Sequence, residues 1–484
     1  MNLTIEQQNI IKAVQQGSNI QVQALAGTGK STTLREIATA LPTKKFLVLC
    51  FNAANALESN NHPSKPSNVT YSTVHSMAYH EIVIKNKLKS KLQNYLDYND
   101  IVGLEQLAKL VAAPRAEKTE LSMLRKVVTL CIQEFCKSDS NSLQTIAENV
   151  INDYFTLTVE KYSCILPQLI TITCEYGARL FNSNCKINHD VYVKMYQLNN
   201  VQIRNADVVM LDEAQDSNAV TLAIIKQQTS LQKVVVGDDN QLLYAWRGAT
   251  GVNDKFNDYV QLELTNSFRF GNTIASMANV VLAGKTDLRV VGLGTNQTIK
   301  TKVHLCRTNA SVVAAATQYM ANNTRIFINI DINDLFSKLW HMQACYFNNV
   351  PKYPNKELVN ITNKESLLEL MQINNDIKQL SSLQLTLCNT YGNLTEAKKK
   401  FASLCASADE AEVSISTIHR SKGLEWDSVV VDDDFISFKD DDECESNPIA
   451  DMWEDAEKTN LLYVAITRAK VICELPEYLQ SYFK

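Results

Sequence analysis

The stretch ALAGTGKSTTL, residues 24–34, places two glycines, a lysine and a hydroxyl side chain in the order a phosphate-wrapping loop requires. Backbone N–H groups from Ala24, Leu25, Ala26, Gly27, Thr28 and Gly29 would curl round a nucleotide's phosphates. Lys30 would reach the β/γ oxygens, and Ser31, with Thr32 beside it, would hold Mg²⁺. The strict spacing asks for glycine at position 24, where this chain has alanine, a departure of one methyl group. A second run, VVMLDEAQD (208–216), supplies what such a loop needs next. Asp212 at a strand end would hold Mg²⁺ through water, and Glu213 would activate an attacking water. An acidic turn is common by itself; paired with the loop it points to nucleotide hydrolysis.

Elements of a particular kind must position these groups. NIQVQAL (19–25) alternates as a strand does, and STTLREIATAL (31–41) carries apolar residues at helical spacing, so the loop joins strand to helix. KKFLVLCF (44–51), ADVVMLD (206–212) and KVVVGD (233–238) are short β-rich runs that end in polar turns. KVHLCRT (302–308), TRIFINI (324–330), VSISTIH (413–419) and SVVVDD (428–433) repeat the habit. Apolar strands alternating with helical stretches predict parallel sheets covered on both faces, with ligand groups at the strands' carboxyl ends. Two such sets predict an α/β chain of two domains, the first from 1–79 and 201–262, the second from 263–330 and 409–484. Segments 80–200 and 331–408 read as helical inserts in the first and second domain.

The bulk properties narrow the function classes. With 484 residues, 45% apolar and 20% charged, the chain has the composition of a soluble globular protein of several domains. The polar start MNLTIEQQNI and the lack of a long apolar run predict an intracellular protein, cytoplasmic if prokaryotic or viral and nuclear if eukaryotic. Twelve scattered cysteines without C-x-x-C spacing read as reduced thiols; Cys131 and Cys136 have no partners in sequence for a metal site. A net charge of −5 confines any nucleic-acid contact to a local groove. The acidic stretch DDDFISFKDDDECE (432–445) reads as a solvated loop.

Six ordered motifs together carry a resemblance: LAGTGKS, LDEAQD, VGDDNQLLYAWRGA (236–249), LTNSFRF (264–270), TIHRSKGLEW (417–426) and LLYVAITRAK (461–470). The chain resembles the UvrD-like helicases of superfamily one, and among them the helicase core of the F-box DNA helicases, from LTIEQ (3–7) to its last residue. No F-box is expected before LTIEQ, and no ubiquitin-ligase connection. The resemblance implies two RecA-like parallel-sheet motor domains with helical accessory insertions and ATP in the cleft between them. It implies that Gln7 reads adenine, that Phe268 stacks on the base and that Glu425 lies near the ribose hydroxyl. A packed core ring is the other reading of Phe268. Arg269 and Arg468 look like the two arginines that meet the γ-phosphate, where guanidinium groups offset developing charge. Gln241 resembles the glutamine that senses the γ-phosphate and the attacking water.

The DNA contacts have their own signature. Tyr244 and Trp246 stand two apart, so an extended segment would turn both rings to one side as a platform for unpaired bases. Core packing is the rival reading of Tyr244. Thr73, His75 and Ser76, with His419, look like backbone and phosphate contacts, as does Asn52. The segment FNAANA after Asn52's strand lacks the basic residue that relatives often carry there, and the interval from CRTNA to TIHRSKG predicts a reduced second accessory domain. The expected activity is an ATP- and Mg²⁺-dependent DNA helicase or translocase moving 3′→5′ on single-stranded DNA, in repair, recombination or replication. The direction rests on the resemblance alone. Rival outputs are a translocase that strips proteins from DNA with little unwinding, an ATPase subunit of a larger repair or defence complex, and a motor on RNA.

Overall fold

The computed structural model describes residues 3–483 except 98–99, 114–116, 157–158, 246–247, 253, 295–297, 350, 353–354, 356–357, 359–360, 374, 405 and 436–454. The chain divides into two compact units, residues 1–24 with 29–264, and residues 25–28 with 265–484.

In the first unit six parallel strands form one sheet: β1 (Ile20–Ala24), β2 (Phe46–Leu49), β3 (Val69–Ser72), β4 (Val208–Leu211), β5 (Gln232–Gly237) and β6 (Val260–Leu264). Their order is β3-β2-β4-β5-β1-β6. β4 is buried at every position, as a central strand covered on both faces must be. In β1 Ile20, Val22 and Ala24 enter the core under helices Ile5–Gln15 and Lys30–Ala40, while Gln21 and Gln23 point to the other face. That other face shares one continuous apolar core with the helices of 80–200, from Leu49, Leu211 and Val235 through to Leu124, Ile151 and Tyr196. The expected domain edge after 79 falls inside a helical run, since Val74–Ala78 continues as the π-turn Tyr79–Ile84. The edge at 262 would likewise cut β6, and the unit runs on to Leu264.

The second unit opens with the short parallel pair β7 (Asn266–Ser267) and β8 (Val291–Gly292). A five-stranded parallel sheet follows: β9 (Lys302–Cys306), β10 (Ile326–Asn329), β11 (Val413–Thr417), β12 (Trp426–Val431) and β13 (Ala469–Glu474), in the order β10-β11-β9-β12-β13. The helices inserted between β10 and β11 share their core with the sheet: Phe336, Leu339, Leu387 and Phe401 belong to one cluster with Cys306, Ile326 and Ile415. Among the described residues no helix is long and apolar enough to cross a membrane. Of the acidic stretch, residues 436–445 lie outside the described residues.

Candidate active site

The loop after β1 is built by its glycines. Gly27 and Gly29 have φ of 73° and 79°, a left-handed backbone that residues with a Cβ rarely adopt. Thr28 Oγ1 donates to the Leu25 carbonyl at 2.8 Å and closes the turn. Gly29 then caps the helix Lys30–Ala40, which starts with Ser31 exposed in its first turn. A helix that begins on a glycine-curled loop offers its free N–H groups to an anion. Thr33 Oγ1 donates to the Gly29 carbonyl at 3.0 Å and accepts from Gln7 Nε2 at 3.1 Å. Gln7 is also half of a capping box, its Oε1 accepting from the Thr4 N–H at 3.0 Å. The side chain expected to read adenine is therefore buried and anchored against the loop helix, with one amide hydrogen and one lone pair still to give.

Lys30 reaches across to the end of β4. Its Nζ lies 3.3 Å from Glu213 Oε2. Burial alone would lower its pKa, but the charges of Glu213, Asp238 and Asp212 outweigh that and raise it. Burial, with the charge of Glu213, pushes the Asp212 carboxyl up to about 6. Glu213 stands at φ 50°, ψ 44°, a left-handed backbone for a residue with a side chain. The Asp212 carboxylate accepts from the Glu213 N–H at 3.0 Å and secures this turn.

From Glu213 a polar chain crosses to the end of β5. Gln215 Nε2 donates to Glu213 Oε2 at 2.6 Å, while Gln215 Oε1 accepts from the Asp238 N–H at 2.9 Å. Gln241 Nε2 donates to Asp238 Oδ2 at 2.6 Å. Asp238 is fully buried, its pKa raised by that burial, and Gln23 Nε2 donates to its other oxygen at 3.4 Å. The structure brings Lys30, Asp212, Glu213 and Gln241 together, joined by Gln215, Asp238 and Gln23, which the sequence reading did not single out. All three lie inside stretches read as strand or motif, but a Gln or Asp there carries no sign of its neighbour until the strands pair. The set also fits a divalent ion beside a polyphosphate. Three carboxylates face the Lys30 ammonium, and Gln23 Oε1 is buried without a hydrogen-bond partner among the described residues.

In the second unit, Arg269 Nε donates to Glu425 Oε2 at 2.8 Å and Nη1 to the Thr467 carbonyl at 2.9 Å. Lys470 lies 2.9 Å from the other Glu425 oxygen. Burial would raise the Glu425 pKa; Lys470 and Arg269 instead hold it below the usual range. Arg468 is only 2% exposed, its Nε and Nη1 both donating at 3.2 Å to the carbonyls of Val464 and Leu424. Phe268 is half-buried, whereas Phe270 fills the core at 0% exposure, so the core-ring reading belongs to Phe270.

Most of the residues expected to touch DNA sit where strands hand over to helices. Asn52 caps Ala53–Asn61 after β2, its Oδ1 accepting from the Asn55 N–H at 2.8 Å. Thr73 caps Val74–Ala78 after β3, accepting from the Ser76 N–H at 3.1 Å, which leaves His75 and Ser76 exposed in that first turn. His75 Nε2 stands 3.9 Å from Asp190. His419 is half-buried in the turn after β11, which Thr417 caps. Tyr244 is half-buried and stacks on Phe51, ring centroids 5.4 Å apart and planes 13° from parallel. Phe51, 39% exposed, is a second ring that sequence reasoning missed. The Tyr244 carbonyl accepts from the Ala249 N–H at 3.3 Å. Trp246 lies outside the described residues.

Comparison with known proteins bears on this constellation. The profile of the UvrD/REP helicase N-terminal domain matches residues 3–257. F-box DNA helicase 1 of Gallus gallus is 26% identical over 97% of this chain and 48% of its own length. The F-box DNA helicase protein 1 of Schizosaccharomyces pombe is 26% identical over 97% of this chain and 56% of its own length. ATP-dependent DNA helicase PcrA of Staphylococcus aureus is 33% identical over 20% of this chain and 14% of its own. The chain spans about half the length of the first two relatives. Because the matching profile covers more than half of the residues, including the phosphate loop, the acidic turn after β4 and Gln241, the chain belongs to the UvrD/REP helicase family.

Proposed function

We propose that this protein is an ATP-driven motor that moves 3′→5′ on single-stranded DNA and opens duplexes with a single-stranded tail, in repair, recombination or replication. While the direction rests on the resemblance, the observation that carries the nucleotide-driven motor in this reading is the polar chain from Lys30 through Glu213, Gln215 and Asp238 to Gln241. It ends three residues from Tyr244, so hydrolytic groups and the Phe51–Tyr244 rings lie on one short path.

Each residue takes one role within this reading. Lys30 exchanges Glu213 for the β/γ oxygens when nucleotide enters. That exchange releases Glu213 to take a proton from the attacking water. Gln215 holds Glu213 and reports on Asp238, through which Gln241 feels the change. Mg²⁺, held by Ser31 and Asp212, would offset charge on the phosphates. Gln7 offers its remaining amide valences to adenine, and Phe268 a half-buried ring to the base. Glu425 serves the ribose hydroxyl, and Arg269 and Arg468 the transferred phosphoryl group. Asn52, Thr73, His75, Ser76 and His419 grip the DNA backbone, while Tyr244 and Trp246 take the bases. Phe51 extends Tyr244 into a two-ring surface on which a base can stack without sequence preference.

The test is ATPase rate with and without single-stranded DNA, followed by strand separation on duplexes bearing a 3′ or a 5′ tail. DNA stimulation with opening confined to the 3′ tail is expected. Hydrolysis indifferent to DNA would overturn the motor, and opening confined to the 5′ tail would overturn the direction.

A further inference from the structure

We propose that the second unit carries a binding site for a divalent cation of the Zn²⁺ type, made by His304, Cys306 and Asp432. The sequence offered no such cluster, because Asp432 lies 126 residues beyond Cys306, in a run read separately as a strand. The sheet brings them together. His304 and Cys306 alternate on β9 and so face one side. β12 pairs beside β9 with Val430 opposite His304 and Val431 opposite Leu305, and the Asp432 N–H donates to the Leu305 carbonyl at 2.9 Å. One ligand atom from each of the three lies within 4.8 Å of the others. Ligands of Zn²⁺ stand about 2.0–2.3 Å from the ion, so small rotamer adjustments close the set around it.

The donors are one nitrogen, one sulfur and one oxygen, a mixture that suits Zn²⁺ over Mg²⁺ or Ca²⁺. Cys306 is fully buried and His304 and Asp432 are mostly so, unlike a solvated acidic loop. His304 Nε2 lies 2.8 Å from Asp432 Oδ2, and its Nδ1 lies 3.2 Å from the Tyr319 hydroxyl. Without an ion, Nε2–H donates to Asp432 and the tyrosine hydroxyl donates to Nδ1. With an ion on Nε2, Nδ1–H donates to the tyrosine oxygen instead. A hydroxyl serves both tautomers by rotating, as an outer partner of a ligating histidine should.

Among the described residues, the charges that act on Cys306 are those of Asp432, Asp434 and Asp433. Asp434 spends its carboxylate on the Arg307 and Thr308 N–H groups at 2.9 and 3.1 Å, and Asp433 stands exposed beside Asp432. A cleft of about 650 Å³, lined in part by His304, Asp432, Asp433, Cys473 and Glu474, opens onto the cluster and offers water for the fourth position. On binding, the Cys306 thiol gives its proton to solvent and its sulfur bonds the ion, so one proton leaves per ion bound. The ion would pin the chain leaving β12 onto β9.

Titration of the purified full chain with Co²⁺, followed by displacement with Zn²⁺, tests the site. One equivalent of Co²⁺ is expected to give a near-ultraviolet thiolate-to-metal band that Zn²⁺ abolishes. The band should vanish in Cys306→Ser, fall at least tenfold in affinity in His304→Gln, and persist in Cys473→Ser and Cys131→Ser. Absence of the band in the unmodified chain overturns the proposal whatever the variants do. A band that survives Cys306→Ser in folded protein overturns it as well.

Discussion

Lys30 is the one residue on which the charge balance of the first site turns. The charges of Glu213, Asp238 and Asp212 all bear on it. Lys30→Ala should reduce ATP hydrolysis to background. It should also lower the melting temperature of the nucleotide-free protein, because a buried carboxylate group left without its counter-charge is costly. A variant that hydrolyses ATP normally would refute the loop assignment. The rings give a second prediction at this scale. Phe51→Ala removes a half-exposed stacking surface and should weaken single-stranded DNA binding by ~1–3 kcal/mol, with little change in melting temperature. Phe270→Ala opens a core cavity and should cost about 3–5 kcal/mol of stability instead. Affinity and melting temperature on the same preparations separate the two. Lys30, Asp212 and Glu213 could be assigned to one site from their types and spacing, and Gln241 from the resemblance. Asp238, Gln215 and Phe51 were not, because what defines them is a neighbour from another strand.

At the scale of elements, legibility followed burial. The strands named from sequence, β1, β2, β4, β5, β9, β10, β11 and β12, are mostly interior strands with strong apolar runs. β3, β6 and β13 were passed over, and all three are sheet edges; β6 buries just Leu264 fully, and β13 just Ala469. An edge strand has one neighbour and needs no continuous apolar run. The inserted helices hold a polar surprise in Lys194, fully buried on His189–Leu198. Its ammonium donates to the Ser138 and Ser140 carbonyls and lies 4.3 Å over the Phe135 ring. Burial lowers its pKa to about 8. The unfolded chain holds this proton up to the ordinary lysine range, so between those values the unfolded state binds more protons and stability rises with pH. Relative to Lys194→Met, the wild type should gain melting temperature as pH climbs from 8 towards 10, and lose it as pH falls through 8. A difference that stays flat across that range would refute an ordered, buried ammonium.

For the whole molecule, what matters is how much of it is free to move and how tightly it can hold DNA. A chain of net charge −5 has no general basic field, so in the proposed motor the grip on DNA would come from helix starts and stacked rings. Each phosphate neutralised on a single strand steepens the salt dependence of log K by about 0.7, so a grip that relies on stacking should show a shallow slope. The helices between β10 and β11 share their core with the sheet that bears them, through Phe336, Leu339, Ile326 and Ile415. Swinging them as a separate clamp would break that closely packed core. The expected result is a motor that tracks along single strands readily but opens long duplexes poorly by itself. Translocation can be followed by displacement of streptavidin from end-labelled single strands, and unwinding by strand separation on tailed duplexes of increasing length under single-turnover conditions. Product should fall steeply with duplex length while streptavidin displacement stays robust. Processive opening of kilobase duplexes by an isolated monomer would show that the inserted helices do not limit the motor in this way.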